Sequence, residues 1–285
     1  MALTLGRVLI RLLPALVAAV LLGLVAHVLA GHASEGVPQL PDLDQETPSN
    51  LVVSVIGPRR SPQYILGFRS AVRNVGDGPL IITGHRPDRG PDTMVADQQI
   101  SRRGGPAEVV RRVGRLRYVV SPDHRHWHLL GFERYELRTA DGKTVRARDR
   151  KTGFCLGDRY GVGDRELAAR APKPVYTSRC GLGEPARLGI TEGISVGYGD
   201  DYRANLEGQY LPLTGLRAGR YVLVHRVNAD GRLRELRHDN DAASLLLRLR
   251  WRRGVPYIRV LAVCPDSAHC ALGRSPVPGT APRGA

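Results

Sequence analysis

Three histidines alternate with an arginine and a tryptophan in Asp123-His124-Arg125-His126-Trp127-His128. Neutral imidazoles suit copper, zinc, nickel or iron, and an all-nitrogen set with open positions fits tetragonal Cu(II) well. A lone histidine would read as part of a solvated strand face, whereas three in strict alternation read as a shared ligand set. In a strand, residues i, i+2 and i+4 leave the same face, so His124, His126 and His128 point together while Arg125 and Trp127 point away. A helix would turn the middle histidine about 200° from its neighbours. A flat strand still spreads the outer two α-carbons by roughly 13 Å, too far for three bonds of about 2 Å to one ion. A bulge or curl is therefore expected, supplied by Pro122 or Gly131.

The elements that must carry this set read as strands. Tyr118, Val119 and Val120 precede the histidines, and Phe132, Tyr135 and Leu137 follow them. Leu51 to Ile56 is an apolar run. In Tyr64 to Val75, Leu66, Phe68, Ser70 and Val72 alternate with Gly67, Arg69, Ala71 and Arg73. Gly76-Asp77-Gly78-Pro79 is a turn, followed by a short buried strand at Leu80 to Ile82. Residues 84–106 are rich in Gly, Pro, Asp and Arg and read as a long loop. Asp141-Gly142-Lys143 marks a hairpin, and residues 151–207 read as loops with little periodicity. Strands return at Tyr221 to Val227, after which Leu245, Leu247, Leu249 and Trp251 alternate with arginines. No amphipathic helix and no repeat stand out. The expected fold is all-β, a β-sandwich core with long loops carrying the chemistry.

Composition sets the surroundings. The 285 residues carry a formal net charge of +15, with no nucleic-acid motif and scattered cations, which reads as a soluble basic surface. Nearly all the cations are arginine; the lysines are Lys143, Lys151 and Lys173. Arg7 and Arg11 precede an apolar run from Leu12 to Ala26, and small residues follow at Ala30, Gly31 and Ala33. Residues 1–33 thus read as an export signal or, if retained, a single membrane anchor, and either places the body secreted or extracytoplasmic. Residues 34–50 form an extended lead-in, residues 51–272 the main domain and residues 273–285 a disordered tail. Four cysteines, Cys155, Cys180, Cys264 and Cys270, agree with an oxidising compartment. They allow three pairings, of which sequence proximity favours Cys155 with Cys180 and Cys264 with Cys270; the first is worth about 3 kcal/mol in the loop-entropy estimate.

Two further segments complete a pattern: Lys151-Thr152-Gly153-Phe154-Cys155-Leu156-Gly157-Asp158, and Gly197-Tyr198-Gly199-Asp200-Asp201-Tyr202 running on to Gln209-Tyr210. With the histidine strand, and in the same order, they resemble the catalytic domain of the copper-dependent lysyl oxidases, over about Leu51 to Trp251. The resemblance implies His124, His126 and His128 as copper ligands. It implies Lys151, in a Lys-x-x-Phe-Cys pattern, and Tyr202, eight residues before Tyr210, as the partners of a lysine tyrosylquinone cofactor; Tyr198 is a rival whose spacing is four residues too long. It further implies oxidative deamination of primary amines, peptidyl lysine among the candidates, to aldehyde, with dioxygen consumed and ammonia and hydrogen peroxide released. The competing expectation is an exported copper-binding β-sandwich that makes no quinone. Glu192, Asp200, Asp201 and Glu207 against Arg203 form a locally acidic stretch that could attract an ammonium, or could be turn-forming carboxylates.

Overall fold

The computed structural model describes residues 36–121, 124–149, 151, 153–204, 206 and 208–273. Residues 1–33 and most of the expected tail lie outside the described residues. In chain order the strands are β1 (Val37–Gln39), β2 (Leu43–Gln45), β3 (Ser49–Ile56), β4 (Gln63–Asn74), β5 (Leu80–His85), β6 (Thr93–Arg103), β7 (Glu108–Val120), β8 (Arg125–Leu129), β9 (Glu133–Thr139), β10 (Val145–Arg148) and β11 (Tyr160–Gly161). Then come a six-residue helix α1 (Arg165–Arg170) and β12 (Gly189–Ile194), β13 (Tyr198–Tyr202), β14 (Tyr210–Pro212), β15 (Gly219–Val227), β16 (Ala242–Arg252) and β17 (Val255–Cys264). The chain divides into two units, and the one formed by Gln39–Ser101 and Glu108–Ala285 contains every site residue discussed below.

Three antiparallel sheets make this all-β fold. Their orders are β12-β5-β6-β7-β8, β10-β9-β15-β16-β17 and β11-β13-β4-β14, with β2 and β3 also pairing to β4. One core joins them: Leu66, Phe68 and Val72 from β4 pack in the same cluster as Leu80, Ile82, Met94 and Leu116 and as Tyr135, Leu223, Leu245 and Leu247. Two-residue alternation accounts for part of this, because Phe68 and Val72 of β4 and Leu247 and Leu249 of β16 point inward while the arginine after each is more exposed. The expected lead-in is partly structural, since β2 pairs with β4 from Leu43 opposite Asn74 to Gln45 opposite Val72.

Two expectations are corrected. Residues 84–106 are not one loop, because β6 runs through them and pairs with both β5 and β7. Its alternation was masked by polar residues in buried positions: Asp97 accepts from the Arg112 amide at 2.7 Å, and Gln98 bonds both ways with the Arg234 backbone. Residues 151–207 contain β12 and β13, which pair with β5 and β4, and the short helix α1, capped by Asp164. That helix buries none of its residues, so no amphipathic pattern announced it. The expected curl of the histidine strand falls ahead of β8, and Pro122, one of its two expected sources, lies outside the described residues. β8 pairs with β7 without a break in register, and His124 instead lies just before β8, where its carbonyl accepts from the Ser121 amide at 2.7 Å.

Candidate metal and cofactor site

β8 is the outer strand of its sheet, and its free edge is closed by two loops rather than by another strand. Leu129 and Phe154 exchange backbone hydrogen bonds of 2.8 and 3.0 Å, and the Trp127 amide donates to the Cys180 carbonyl at 2.8 Å. The Cys155–Cys180 disulfide ties those loops together, and Cys264 pairs with Cys270. Both pairings match sequence proximity. Gly153 makes the close approach possible, because a β-carbon there would stand 2.7 Å from the Leu129 carbonyl oxygen and 2.9 Å from the His128 β-carbon. Lys151 is in this way carried to the histidines.

The turn at His124 brings the three rings together. Their centroids lie 4.7 to 5.3 Å apart, and one nitrogen of each falls within 4.8 Å of the others. His126 Nε2 and His128 Nε2 are 2.7 Å apart, and buried His128 Nδ1 has no hydrogen-bond partner among the described residues. Burial first, then the neighbouring histidines and cations, lowers the pKa of His126 to about 4; burial followed by His126 and Lys151 lowers that of His128 to about 2. Both rings are neutral at pH 7 and keep lone pairs for a metal. This all-nitrogen donor set fits a copper ion. Trp127 leaves the opposite face, fully buried, with Arg86 4.9 Å from its ring.

Lys151 and Tyr202 meet. The Lys151 ammonium lies 4.2 Å from the centroid of the Tyr202 ring and 4.8 Å from that of Phe154, whose edge in turn meets Tyr202 at 5.1 Å. Burial lowers the lysine pKa to about 8 against the opposing pull of Glu133, Asp200 and Asp149. Tyr198 sits at the start of β13, half-buried at the edge of the core. Tyr202 ends β13 opposite Ser70 of β4, and Gln209 fastens that pairing by donating to the carbonyls of Phe68 and Tyr202 at 2.8 and 3.0 Å.

Of the acids around this pair, Glu192 and Asp200 read in the sequence only as a candidate attractor of an ammonium, and Glu133 does not read there as a site residue at all. The Tyr202 hydroxyl faces Asp200 Oδ2 at 2.8 Å and the Cys155 carbonyl at 3.0 Å. One phenolic proton cannot serve two acceptors fully, so a protonated Asp200 that donates to the phenol completes the pattern. Burial, eased by Arg159, raises the Asp200 pKa to about 8, which places that proton within reach of neutral pH. Glu192 is fully buried beside it, with its pKa driven well up by burial and then by Asp200. Asp201, partly exposed, is bonded to Arg69 at 3.1 Å, and Glu207 lies outside the described residues, so of the acidic stretch Glu192 and Asp200 are the members seen to line the interior. Behind the pair, Glu133 Oε2 accepts from Tyr135 at 2.6 Å and is paired with His225 at 2.8 Å, all three buried.

The lysyl oxidase family profile matches residues 97–254, more than half of the chain. Among similar proteins, lysyl oxidase homolog 3B of Danio rerio is 30% identical over 142 residues, covering 48% of this chain and 15% of its own length. Lysyl oxidase homolog 3 of Homo sapiens is 27% identical over 139 residues, 48% of this chain and 16% of its own. Lysyl oxidase homolog 2B of Danio rerio is 25% identical over 190 residues, 65% of this chain and 18% of its own. The chain thus spans less than a fifth of the length of each of these relatives. It belongs to the lysyl oxidase family.

Proposed function

We propose that this protein is an exported copper-dependent amine oxidase that converts primary amines, peptidyl lysine among them, to aldehydes with release of ammonia and hydrogen peroxide. The observation that carries the reading is the Lys151 ammonium standing 4.2 Å from the Tyr202 ring centroid, in the loop that docks on the histidine strand. Copper and a lysine tyrosylquinone made from Lys151 and Tyr202 would supply an electrophilic carbonyl for a primary amine and a path for its electrons to dioxygen.

The chain's own residues have separable roles. His124, His126 and His128 hold the metal as neutral imidazoles. Lys151, with its pKa already lowered to about 8 by burial, reaches the neutral amine near physiological pH, and only that form is nucleophilic. Asp200, 2.8 Å from the phenol, is placed to exchange the phenolic proton. Phe154 packs its ring against both reacting side chains and keeps water from them. The test is peroxide release from a panel of primary amines by copper-loaded protein, with Tyr202→Phe as the silent control. Copper binding without any peroxide would leave a copper-binding β protein instead.

A further inference from the structure

The outer face of the five-stranded sheet is divided in its charge. At its β9 end, buried Glu136 answers Arg138 at 2.5 Å and Arg148 at 3.2 Å. At the other end, Arg220 of β15, Arg248 of β16 and Arg259 of β17 stand directly opposite one another in a single cross-strand row. Arg250 and Arg252 continue along β16, and all five are exposed. None of these five has a carboxylate partner among the described ion pairs. Like charges directly opposite in an antiparallel pair are destabilising, and here the cost is incurred twice in one row.

We propose that this end of the sheet is a binding site for a small polyanion bearing two or more phosphate groups. Arg248, Arg250, Arg252 and Arg259 line a cavity of about 300 Å³ together with Tyr257. The volume matches the lower range of small-ligand sites. Strand spacing of about 4.8 Å and an i,i+2 repeat of about 6.8 Å spread the guanidinium-bearing positions over a grid wide enough to seat two or more phosphates at once. Guanidinium forks bind phosphate oxygens in pairs. Tyr257 stiffens one wall, since the Arg252 guanidinium lies 5.4 Å from its ring centroid. The opposite face of β16 puts Leu247 and Leu249 into the core, which fixes which way these arginines project.

The test is isothermal titration of the intact protein with sodium tripolyphosphate at low and moderate salt. Binding should weaken with salt, and Arg248→Gln with Arg259→Gln should lower affinity at least tenfold. Arg59→Gln with Arg60→Gln, the same charge change at exposed residues elsewhere, should leave affinity within twofold. Absence of binding, or equal losses in the two double variants, overturns the site. Thermal midpoints of both variants show whether each is folded. Sedimentation with vesicles containing cardiolipin, which carries two phosphates, separates the sources: vesicle binding lost in the first variant and competed by tripolyphosphate places the phosphates on lipid headgroups. Indifference to vesicles by a chain that binds tripolyphosphate places them in solution.

Discussion

Two groups of buried carboxylates are treated in opposite ways. Around β2, Asp42 accepts from Asn240 at 2.7 Å and Arg237 at 2.8 Å, and Glu235 accepts from the Leu43 amide at 2.9 Å and from Asn228 at 2.5 Å, so all four oxygens are bonded. Around Tyr202, neither Asp200 Oδ1 nor Glu133 Oε1 has a hydrogen bond among the described residues, and Asp200 Oδ1 stands 3.6 Å from Arg159 Nε. Bonded carboxylates fasten the start of β2 to the chain after β15. Unbonded ones raise the energy of the folded state and keep protons movable, a cost that a fold retains at a reacting centre. The contrast separates a structural clamp from chemistry more sharply than burial alone, because both groups are buried.

The largest effect should come from the clamp. Glu235→Ala leaves the Leu43 amide and the Asn228 side-chain amide buried without their acceptor and should lower unfolding stability by about 3 kcal/mol in urea titrations. Copper binding and the Lys151–Tyr202 reaction should survive at a temperature where the variant is folded. In the site the order is reversed. His126→Ala should weaken copper binding at least about tenfold, roughly 1.4 kcal/mol by competition titration, with little change in urea midpoint of the metal-free protein. Undiminished copper in that variant would remove His126 from the ligand set.

A third effect concerns pH. Asp200 has its folded pKa raised from 3.8 to about 8, so its contribution to stability is fully present below about pH 4 and lost as pH rises through about 8. Glu235, raised to about 7 by burial, has the same sign. His126, His128 and Lys151, whose pKa values are lowered, pull the other way, so the Asp200 contribution is read as the difference between wild-type and Asp200→Asn protein, both metal-free, at pH 5 and pH 8.5. Asp200→Asn should cost more stability at pH 5 than at pH 8.5 while abolishing the covalent link between Lys151 and Tyr202. An unchanged pH slope would show that Asp200 does not titrate as its surroundings imply.

What could be read from the sequence was what repeats or sits close together. The two-residue rhythm of the histidines and of β16, and the short spans between paired cysteines, are local signals. Glu133 and His225 are 92 residues apart, and they meet only because β9 pairs with β15 with Tyr135 opposite His225. No local pattern encodes that register. The middle stretch was opaque for another reason: its order comes from single side chains bonding the backbone. Asp158 alone accepts from the amides of Val175, Tyr176 and Ser195 and from the Ser195 hydroxyl. Such anchors leave no periodicity, and a chain rich in glycine and charge then resembles a loop.

The central claim is that the placement of Lys151 over Tyr202 exists to join them. Protein loaded with copper in air and digested under non-reducing conditions should yield, by mass spectrometry, a covalent species joining the peptide that contains Lys151 to the peptide that contains Tyr202. The species should be missing from Lys151→Arg, whose guanidinium stays protonated, and from Tyr202→Phe, while both variants still bind copper. Copper-loaded wild-type protein with no such link would contradict the oxidase reading and leave a metal-binding member of the family.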